Sequence, residues 1–248
     1  MSLGELYSPR GLALEQARAV LEISEPYAAN VAWGCSNACA YCYGPLVGRQ
    51  SKSDWAKLRF PKESPVKLIE RQLSRGLQPK GVFLCFMTDP FLPANRNASE
   101  DVIGLLLKRG VRVATSSKVG VSMHKGVRHG MTIITLDDEF SAKWEPNALK
   151  PMGRIKQLKR RHDMGDFTWV SMEPCPPPAI WEQDVRELLN AIKFVDLIIK
   201  GRWQYDVRAA TEEARNAYAK MMQEVEDFCR VHKIRCHIKS ETRKFLKR

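Results

Sequence analysis

Short apolar runs alternate with longer amphipathic stretches along most of the chain. The clearest run, 82–87, is continuously apolar, a pattern typical of a strand buried on both faces of a parallel sheet. Shorter runs of the same kind predict further strands at 30–33, 111–114, 132–135, 167–170, 196–199 and 235–239. The pattern therefore predicts a succession of strands joined by helices.

Helix-start signals support this interpretation. Ser64 and Pro65 are an N-cap residue followed by proline at the first helical position, and Gly76 can end that helix. Ser99, with the acids after it, predicts the start of a helix that runs through Leu107. Other helices are predicted at 12–21, within 144–161, at 185–192 and in a long stretch capped by Thr211, with a short helix or loop at 123–130.

Strands that alternate with helices predict a parallel sheet with right-handed crossovers. Six βα units and a last strand fall short of the eight units of a closed barrel. We therefore expect an α/β fold, a partial (β/α)6 TIM-like barrel with a parallel sheet. We expect residues 1–27 to form a peripheral N-terminal extension. Residues 28–248 would then form the core domain, with a C-terminal helix and a last strand.

The composition narrows the class of protein. The chain has 248 residues and a net charge of +12, which suits a polyanionic partner such as DNA or RNA; a solvated basic surface is the plain alternative. No apolar run approaches the ~20 residues of a membrane span, and the first residues lack the build of a signal peptide. We therefore expect a cytoplasmic protein without membrane contact. Its seven cysteines, three of them clustered, fit a reducing compartment better than a disulfide framework.

Three cysteines lie close together in the sequence, at Cys35, Cys39 and Cys42. Thiolates are soft ligands that select iron–sulfur clusters, zinc or copper(I). A [4Fe–4S] cluster normally takes four thiolates, so three would leave one iron free to bind a substrate or cofactor. The alternative is a zinc knuckle, but zinc usually needs a second close pair of ligands, and the next candidates are Cys85 and His124.

Polar residues follow several of the predicted strands. In parallel α/β folds the carboxyl ends of the strands carry the chemistry, so these residues are candidates for a site. They include Thr88 and Asp89, Ser117, Thr135, Glu173 and Cys175. Each has a structural alternative: Ser117 and Thr135 can cap strands, and Glu173 can fix the turn before Pro174.

The motif Cys-x3-Cys-x-aromatic-Cys resembles the signature of the radical S-adenosylmethionine (SAM) superfamily. Two further segments are similar to its spore photoproduct lyase-like branch, often labelled DNA repair photolyase-like. Residues 88–93 read Thr-Asp-Pro-Phe-Leu-Pro, and residues 135–146 begin Thr-Leu-Asp-Asp-Glu and end Glu-Pro. The resemblance covers roughly residues 28–175.

The resemblance implies a [4Fe–4S] cluster on Cys35, Cys39 and Cys42, with SAM chelated by the fourth iron. It also implies reductive cleavage of SAM to methionine and a 5′-deoxyadenosyl radical, and an electron donor such as a flavodoxin or a ferredoxin. Tyr41, just before the third cysteine, would lie near the adenine. The full set of candidates for the SAM pocket is Tyr41, Thr88, Asp89, Ser117, Thr135 and Glu173.

The sequence departs from the branch in two places. No Gly-Gly-Glu follows the second predicted strand, so Thr88 and Asp89 must stand in for the usual contacts to the SAM amino group. The tail from Ser171 looks more like phage-associated three-cysteine proteins of unknown role. For these reasons a thymine-dimer repair activity does not carry over to this chain.

Two further cysteines are candidate hydrogen-atom donors, since a substrate radical needs a hydrogen source and the lyase branch uses a cysteine for it. Cys175 follows the fifth predicted strand, at the expected mouth of the barrel. Cys85 lies inside an apolar run, and a free cysteine is commonly a small buried hydrophobe. The packing role is the alternative for both residues.

Basic residues cluster in the second half of the chain. They are Lys150, Arg154, Lys156, Lys159, Arg160 and Arg161, joined near the end by Arg230, Lys233, Arg235 and Lys239. A solvated helix face is the favoured interpretation of this cluster. The functional alternative is contact with nucleic-acid phosphates.

Three functions remain open at this point. The first is a radical SAM enzyme that acts on a nucleic acid or nucleotide, where the protein binds and orients and the cofactors supply the chemistry. The second is the same chemistry on a peptide or a small molecule. The third is a non-catalytic module whose cysteines hold zinc or a structural cluster.

Overall fold

Seven parallel strands form one sheet in the computed structural model, which describes residues 3–247. They are β1 (Tyr27–Ala29), β2 (Gly81–Leu84), β3 (Arg112–Ser117), β4 (Arg128–Thr132), β5 (Thr168–Cys175), β6 (Leu197–Arg202) and β7 (Arg235–Ile238). The strands lie in chain order, and β1 and β7 are the two edges. The sheet is not closed, which confirms the predicted partial barrel. Met1, Ser2 and Arg248, which belong to the predicted extension and core domain, lie outside the described residues.

Helices connect the strands and cover the sheet. They are α1 (Gly11–Leu21), α2 (Gly44–Gly48), α3 (Lys52–Trp55), α4 (Pro65–Ser74), α5 (Arg96–Lys108), α6 (Asp138–Trp144), α7 (Pro151–Asp163), α8 (Val185–Ile192), α9 (Glu212–His232) and α10 (Ser240–Leu246). Pro65 opens α4, and the hydroxyl of Thr211 accepts from the backbone N–H of Ala214 at the start of α9, as the cap signals predict. Within residues 3–247, no helix is both long and apolar enough to cross a membrane.

Both faces of the sheet are buried, because successive side chains of a strand point to opposite faces. On β2, Val82 and Leu84 pack outward against α4 and α5, whereas Phe83 points into the barrel. On β6, Ile198 packs outward and Leu197 and Ile199 point inward. This arrangement explains why the strands read as continuous apolar runs.

The interior of the barrel is filled by Trp169 and by α1. A Cβ on Gly130 would lie 2.1 Å from Cε2 of Trp169, so a residue without a side chain is needed at this position of β4. From α1, Ala17, Val20 and Leu21 pack against the inward side chains of the sheet and are fully buried. The expectation that residues 1–27 are peripheral is therefore wrong.

Arginines at the amino ends of three strands hold the C-terminal end of α1. Arg112, Arg128 and Arg235 donate to backbone carbonyls of residues 19–21. Cations at a helix C-terminus satisfy its free carbonyls and interact favourably with the helix dipole. At the other end of α1, Leu12, Ala13 and Gln16 face a cavity at the carboxyl ends of the strands. The helix thus runs from the bottom of the barrel towards its mouth.

Several predicted boundaries are wrong. The first strand is β1 (Tyr27–Ala29) rather than 30–33. Its alanines are weak strand formers, so the sequence did not indicate it. Asn30 follows the strand, and its side-chain Oδ1 accepts from the backbone N–H groups of Phe86 and Met87. The fourth strand is Arg128–Thr132 rather than 132–135. It begins with polar residues and a glycine rather than an apolar run, and tertiary contacts hold them there: Arg128 donates to the carbonyl of Val20 of α1 and Gly130 packs against Trp169. Helix α5 begins at Arg96, so Ser99 lies inside the helix and is not its cap.

The basic cluster on α7 divides into two sets. Arg154 and Arg161 are buried and form ion pairs with Glu145 at 2.5 Å and Asp166 at 2.7 Å. Neither a solvated face nor phosphate contact describes these two residues. Lys150, Lys156, Lys159 and Arg160 are exposed, as the solvated-face interpretation expects.

We predict that the buried His129 makes the stability of the fold depend on pH. Burial and the neighbouring Arg161 depress the pKa of His129 to about 4, from an ordinary value of 6.5, and its Nε2 accepts from Arg161 at 2.9 Å. The stabilisation that neutral His129 gives to the folded state is therefore fully present above pH 6.5 and is lost as the pH falls towards 4. His129→Gln keeps an acceptor without titrating. The free energy of unfolding should therefore fall less between pH 6.5 and 4 in this variant than in the wild type, by at most about 3 kcal/mol. Chemical denaturation at a series of pH values measures this difference.

The exposed His232, substituted in the same way, is the control and should leave the pH profile unchanged. A wild-type profile that is flat between pH 6.5 and 4 would contradict the prediction.

Candidate functional site

A cavity of about 360 Å³ opens at the carboxyl ends of the strands. It brings together most of the residues that the sequence proposed for a site. Those that line it are Cys35, Cys39, Tyr41, Cys42, Cys85, Thr88, Asp89, Ser117 and Glu173. Thr135 and Cys175 do not line it.

The loop that follows β1 carries the three clustered cysteines to the cavity. Gly34 has φ +96°, and a Cβ there would lie 2.6 Å from the carbonyl oxygen of Trp55, so the entry to the loop requires glycine. Next, the N–H of Cys35 donates to that same carbonyl at 2.9 Å. The ring of Trp55 packs against Gly44, at the other end of the loop. The loop therefore brings all three thiols to one cavity.

Burial keeps two of the clustered cysteines, Cys35 and Cys39, protonated at neutral pH. Burial raises the pKa of Cys35 to about 12 and that of Cys39 to about 11. A metal binds the thiolate, so metal binding here must displace protons.

Asp89 ties the cysteine loop to the ends of two strands. Its buried carboxylate accepts from Asn37 Nδ2 at 3.0 Å, from Ser117 Oγ at 2.7 Å, and from the N–H groups of Phe91 at 3.0 Å and Lys118 at 2.7 Å. A carboxylate offers about four acceptor positions. These four donors come from the cysteine loop, the segment after β2 and the end of β3. The geometry leaves Asp89 a positioning role, with no acceptor position free for an amino group.

Thr88 and Ser117 lie beside Asp89 but differ in which hydrogen-bonding groups of their hydroxyls remain available to a ligand. Thr88 Oγ1 accepts from Asn95 Nδ2 at 2.9 Å, and its own hydrogen has no acceptor among residues 3–247. Ser117 Oγ accepts from the N–H groups of Val119 and Gly120 while it donates to Asp89. Thr88 therefore retains a free donor in the cavity, whereas Ser117 caps the end of its strand.

Tyr41 is anchored by a buried ion pair. Its hydroxyl donates to Glu145, which pairs with Arg154; the guanidinium of Arg154 also donates to the carbonyls of Leu149 at 2.6 Å and Thr132 at 2.9 Å. Burial, then the Glu145 carboxylate, raises the pKa of Tyr41 well above its usual value, so the hydroxyl stays protonated. The segment that leads to Glu145 and the helix after it thus hold the cysteine loop from the side of β4.

Two of the cations that line the cavity, Lys118 and Lys239, lie at different places. Lys118 Nζ lies 5.4 Å from the ring centre of Tyr41. Burial lowers the pKa of Lys118, but its electrostatic interactions with the Cys39 thiol group and the Glu145 carboxylate outweigh burial and raise the pKa, so the side chain stays cationic. Lys239, buried at the other side, pairs with Glu173 at 3.3 Å and donates to Gln16 of α1 at 2.9 Å. Glu173 therefore already has a partner of opposite charge.

The remaining candidates lie in different places. Thr135 is buried, and its hydroxyl accepts from the N–H of Asp137 at 3.0 Å, so it caps the turn before α6. Cys175 is also fully buried, and its Sγ accepts from the buried Lys200 Nζ at 3.2 Å, outside the cavity lining. By contrast, Cys85 lies just past the end of β2, with φ +71°, and faces the cavity. Burial raises the pKa of Cys85 to about 12, so it is a thiol.

Several residues of the cavity and its supports escaped the sequence-based prediction. They are Asn37, Lys118, Glu145, Arg154 and Lys239. Asn37 lies within the cysteine motif, and Lys118 and Glu145 lie in strand-end segments, so their position in the sequence could have identified them as candidates. Arg154 and Lys239 belong to the basic cluster of the sequence, and no pattern in one sequence distinguishes a buried cation from an exposed one.

Comparison with known proteins identifies the fold. No protein-family model matches the chain. Spore photoproduct lyase, as a tyrosine-to-phenylalanine variant, superposes with a TM-score of 0.63 over 86% of this chain and 76% of that protein, at 11% identity. SuiB of Streptococcus suis, bound to SAM, superposes with a TM-score of 0.57 over 85% of this chain and 46% of SuiB, at 12% identity. Both neighbours are radical SAM enzymes.

The chain has a spore photoproduct lyase-like radical SAM fold. A further structure of the lyase holds SAM together with a dinucleoside spore photoproduct, and matches with a TM-score of 0.58 over 86% of this chain. A viral protein, the uncharacterised ORF301 of Acidianus two-tailed virus, is 26% identical over 189 residues, which span 69% of this chain and 63% of ORF301. The chain thus spans about half of SuiB and less than two thirds of ORF301.

The thiols of the cavity are the kind of ligand that an iron–sulfur cluster takes. Within residues 3–247, no three His, Cys, Asp or Glu side chains are gathered closely enough to hold one ion. The three thiols nevertheless share one cavity, and thiolates are the ligands of iron–sulfur clusters. Asn37, whose buried Oδ1 has no hydrogen-bond partner within the described residues, also lines this cavity.

We predict that Asp89→Asn destabilises the protein and impairs metal loading. An amide cannot accept from all four donors, and its NH2 group would face at least one of them. We expect the free energy of unfolding to fall by about 2–4 kcal/mol. Iron bound after anaerobic reconstitution should also fall, because the cysteine loop loses its tie to β3. Chemical denaturation and iron analysis measure the two effects.

Asp184→Asn is the matched control, since Asp184 accepts from one backbone N–H at the start of α8 and asparagine caps helices equally well. Equal stability and iron content in the two variants would contradict the positioning role of Asp89.

Proposed function

We propose that this protein is a radical SAM enzyme that binds a [4Fe–4S] cluster through Cys35, Cys39 and Cys42 and acts on a nucleic acid or nucleotide. One observation carries the proposal: the three thiols line a single cavity at the carboxyl ends of the strands of a radical SAM fold. When bound, the cluster and SAM supply a 5′-deoxyadenosyl radical by reductive cleavage of SAM. An electron donor such as a flavodoxin or a ferredoxin would provide the electron.

The residues around the cavity have complementary tasks in binding SAM. The ammonium group of SAM needs an acceptor, and we assign this role to Asn37 Oδ1, whose orientation is set because Nδ2 donates to Asp89. The carboxylate of SAM needs cationic or hydroxyl donors, and Lys118 and Thr88 provide them from the cavity wall. Tyr41, held through Glu145, presents its ring to the adenine.

Cys85 suits the role of hydrogen-atom donor better than Cys175. A donor must be a thiol rather than a thiolate and must face the radical. Cys85 satisfies both conditions, since it lines the cavity and its pKa is raised to about 12. Cys175 lies behind the cavity wall, where it accepts from Lys200.

Two observations support a nucleic acid or a nucleotide as the substrate. The net charge of +12 favours a polyanionic ligand. Among proteins of this fold, spore photoproduct lyase binds a dinucleoside spore photoproduct. The cavity opens at the mouth of the barrel, so a large ligand can approach from that side with only the reacting group inside.

We expect the anaerobically reconstituted protein to convert SAM to 5′-deoxyadenosine when a strong reductant is added. Cys35→Ala should abolish this activity because the cluster loses a ligand. Cys229→Ala removes a buried thiol that does not line the cavity and should retain the activity. Chromatography of 5′-deoxyadenosine, together with iron analysis, measures the result. A fully loaded cluster whose electron paramagnetic resonance signal does not change with SAM would refute the proposal.

The hydrogen source can be tested without knowing the substrate. After long equilibration in D2O, the Cys85 thiol carries deuterium. If Cys85 gave this atom to the 5′-deoxyadenosyl radical that SAM would supply, the products would be monodeuterated 5′-deoxyadenosine and a Cys85 thiyl radical. We expect Cys85→Ala to lower the deuterated fraction severalfold and Cys175→Ala to leave it unchanged, as measured by mass spectrometry. Equal deuterium content in both variants would exclude Cys85.

A further inference from the structure

Two arginines on the C-terminal side of the barrel share one aromatic ring. The guanidinium carbon of Arg202, at the end of β6, lies 4.5 Å from the ring centre of Phe245 on α10. That of Arg215, on the first turns of α9, lies 5.3 Å from the same ring centre. Arg202 also lines the cavity of the cysteines. Three elements at the C-terminal side of the barrel thus gather two positive charges, one of which lines the cavity.

Neither guanidinium has an acidic partner within residues 3–247. The Nε atoms of Arg202 and Arg215 are buried and make no hydrogen bond. Arg202 makes a single side-chain hydrogen bond, from Nη1 to the carbonyl of Trp203 at 3.2 Å. The acid in the adjoining loop, Asp206, is occupied by both Nε and Nη2 of Arg208 at 3.0 and 2.7 Å.

The other buried cations near the barrel mouth differ in this respect. Arg154 pairs with Glu145, and Lys239 pairs with Glu173. A buried donor without a partner costs about 1–3 kcal/mol, and more when it is charged. Since Arg202 lines the cavity and both arginine side chains are partly exposed, a ligand can supply the missing acceptors.

The ligand chemistry follows from the donors. A guanidinium presents a planar fork of N–H groups that matches the oxygens of a phosphate, and arginine stacked on an aromatic ring is preorganised for this contact. Tyr205, which also lines the cavity and is 70% exposed, places an aromatic ring beside the same edge. Exposed aromatic rings next to cations are typical of sites that bind unpaired nucleotides.

We propose that Arg202 and Arg215, held over Phe245, form a phosphate-binding subsite that anchors the backbone of a single-stranded or flipped-out nucleotide while its reacting part enters the cavity. This proposal rests on the proposed function for the identity of the cavity as the catalytic pocket. It assigns a substrate-binding role to the C-terminal elements of the chain.

The test is a binding measurement on the cluster-loaded protein, without reductant and without SAM. Fluorescence anisotropy of a labelled oligothymidylate gives the affinity. We expect Arg202→Gln and Arg215→Gln each to weaken binding about tenfold, the value for one charge-assisted contact. Each should also reduce the slope of log K against log salt concentration by about 0.7, as expected for one phosphate contact of a single strand.

A probe with uncharged methylphosphonate linkages separates phosphate contact from other effects. It should bind wild type and both variants with similar, weak affinity. Competition by thymidine 5′-monophosphate but not by thymidine would identify a terminal phosphate as the bound group, and competition by neither would identify the diester.

Arg230→Gln is the matched control, since Arg230 lies on the same helix about 22 Å from Arg215 and pairs with Asp227. The Arg230→Gln variant should bind the oligothymidylate with an affinity within about twofold of wild type, because Arg230 could act on the phosphates only through long-range electrostatics. Circular dichroism checks folding; if Arg202→Gln does not fold, Arg215→Gln on the outer helix still decides the question.

The proposal is wrong if both arginine variants bind the charged probe as tightly as the control. It is equally wrong if they weaken binding of the methylphosphonate probe by the same factor. Failure of the radical SAM assay would leave this measurement intact, because binding requires neither reduction nor SAM cleavage.

Discussion

The carboxylate of Asp89 is the interaction on which the candidate site depends. Segments that belong to or follow three different strands meet at this group, and each donates a hydrogen bond to it. Strand ends and loops carry backbone N–H groups that must be paired when buried. By satisfying them at one point, Asp89 sets the position of the cysteine loop relative to the sheet.

The open side of the barrel imposes a second constraint. A sheet of seven strands that does not close must still bury its inner face, and here α1 and Trp169 fill the interior. Because α1 is anchored at the bottom of the barrel, its N-terminal residues reach the cavity and Gln16 contacts Lys239 there. The first helix of the chain is therefore part of both the core and the site.

Charge is distributed unevenly around the site. Buried cations on the side of β4 and α7 are paired with acids and serve to hold the cysteine loop and its neighbours, as Arg154 does for Tyr41. On the side of β6 and α9, Arg202 and Arg215 remain without acids within the described residues. This division agrees with the proposed function, in which cofactors would bind at one wall of the cavity and a phosphate-bearing substrate at the other.

The sequence by itself determined the alternation of strands and helices, the parallel sheet and the cysteine motif, because hydrophobic periodicity, caps and ligand spacing are local properties. It also placed Thr88, Asp89, Ser117 and Glu173 at one edge of the sheet, since the carboxyl ends of parallel strands must meet there. Only the tertiary structure decided which thiol faces the cavity, which cations are buried and where α1 lies. Those features depend on contacts between residues far apart in the chain, as when Gly130 makes room for Trp169, and such contacts leave no periodic signal in a single sequence.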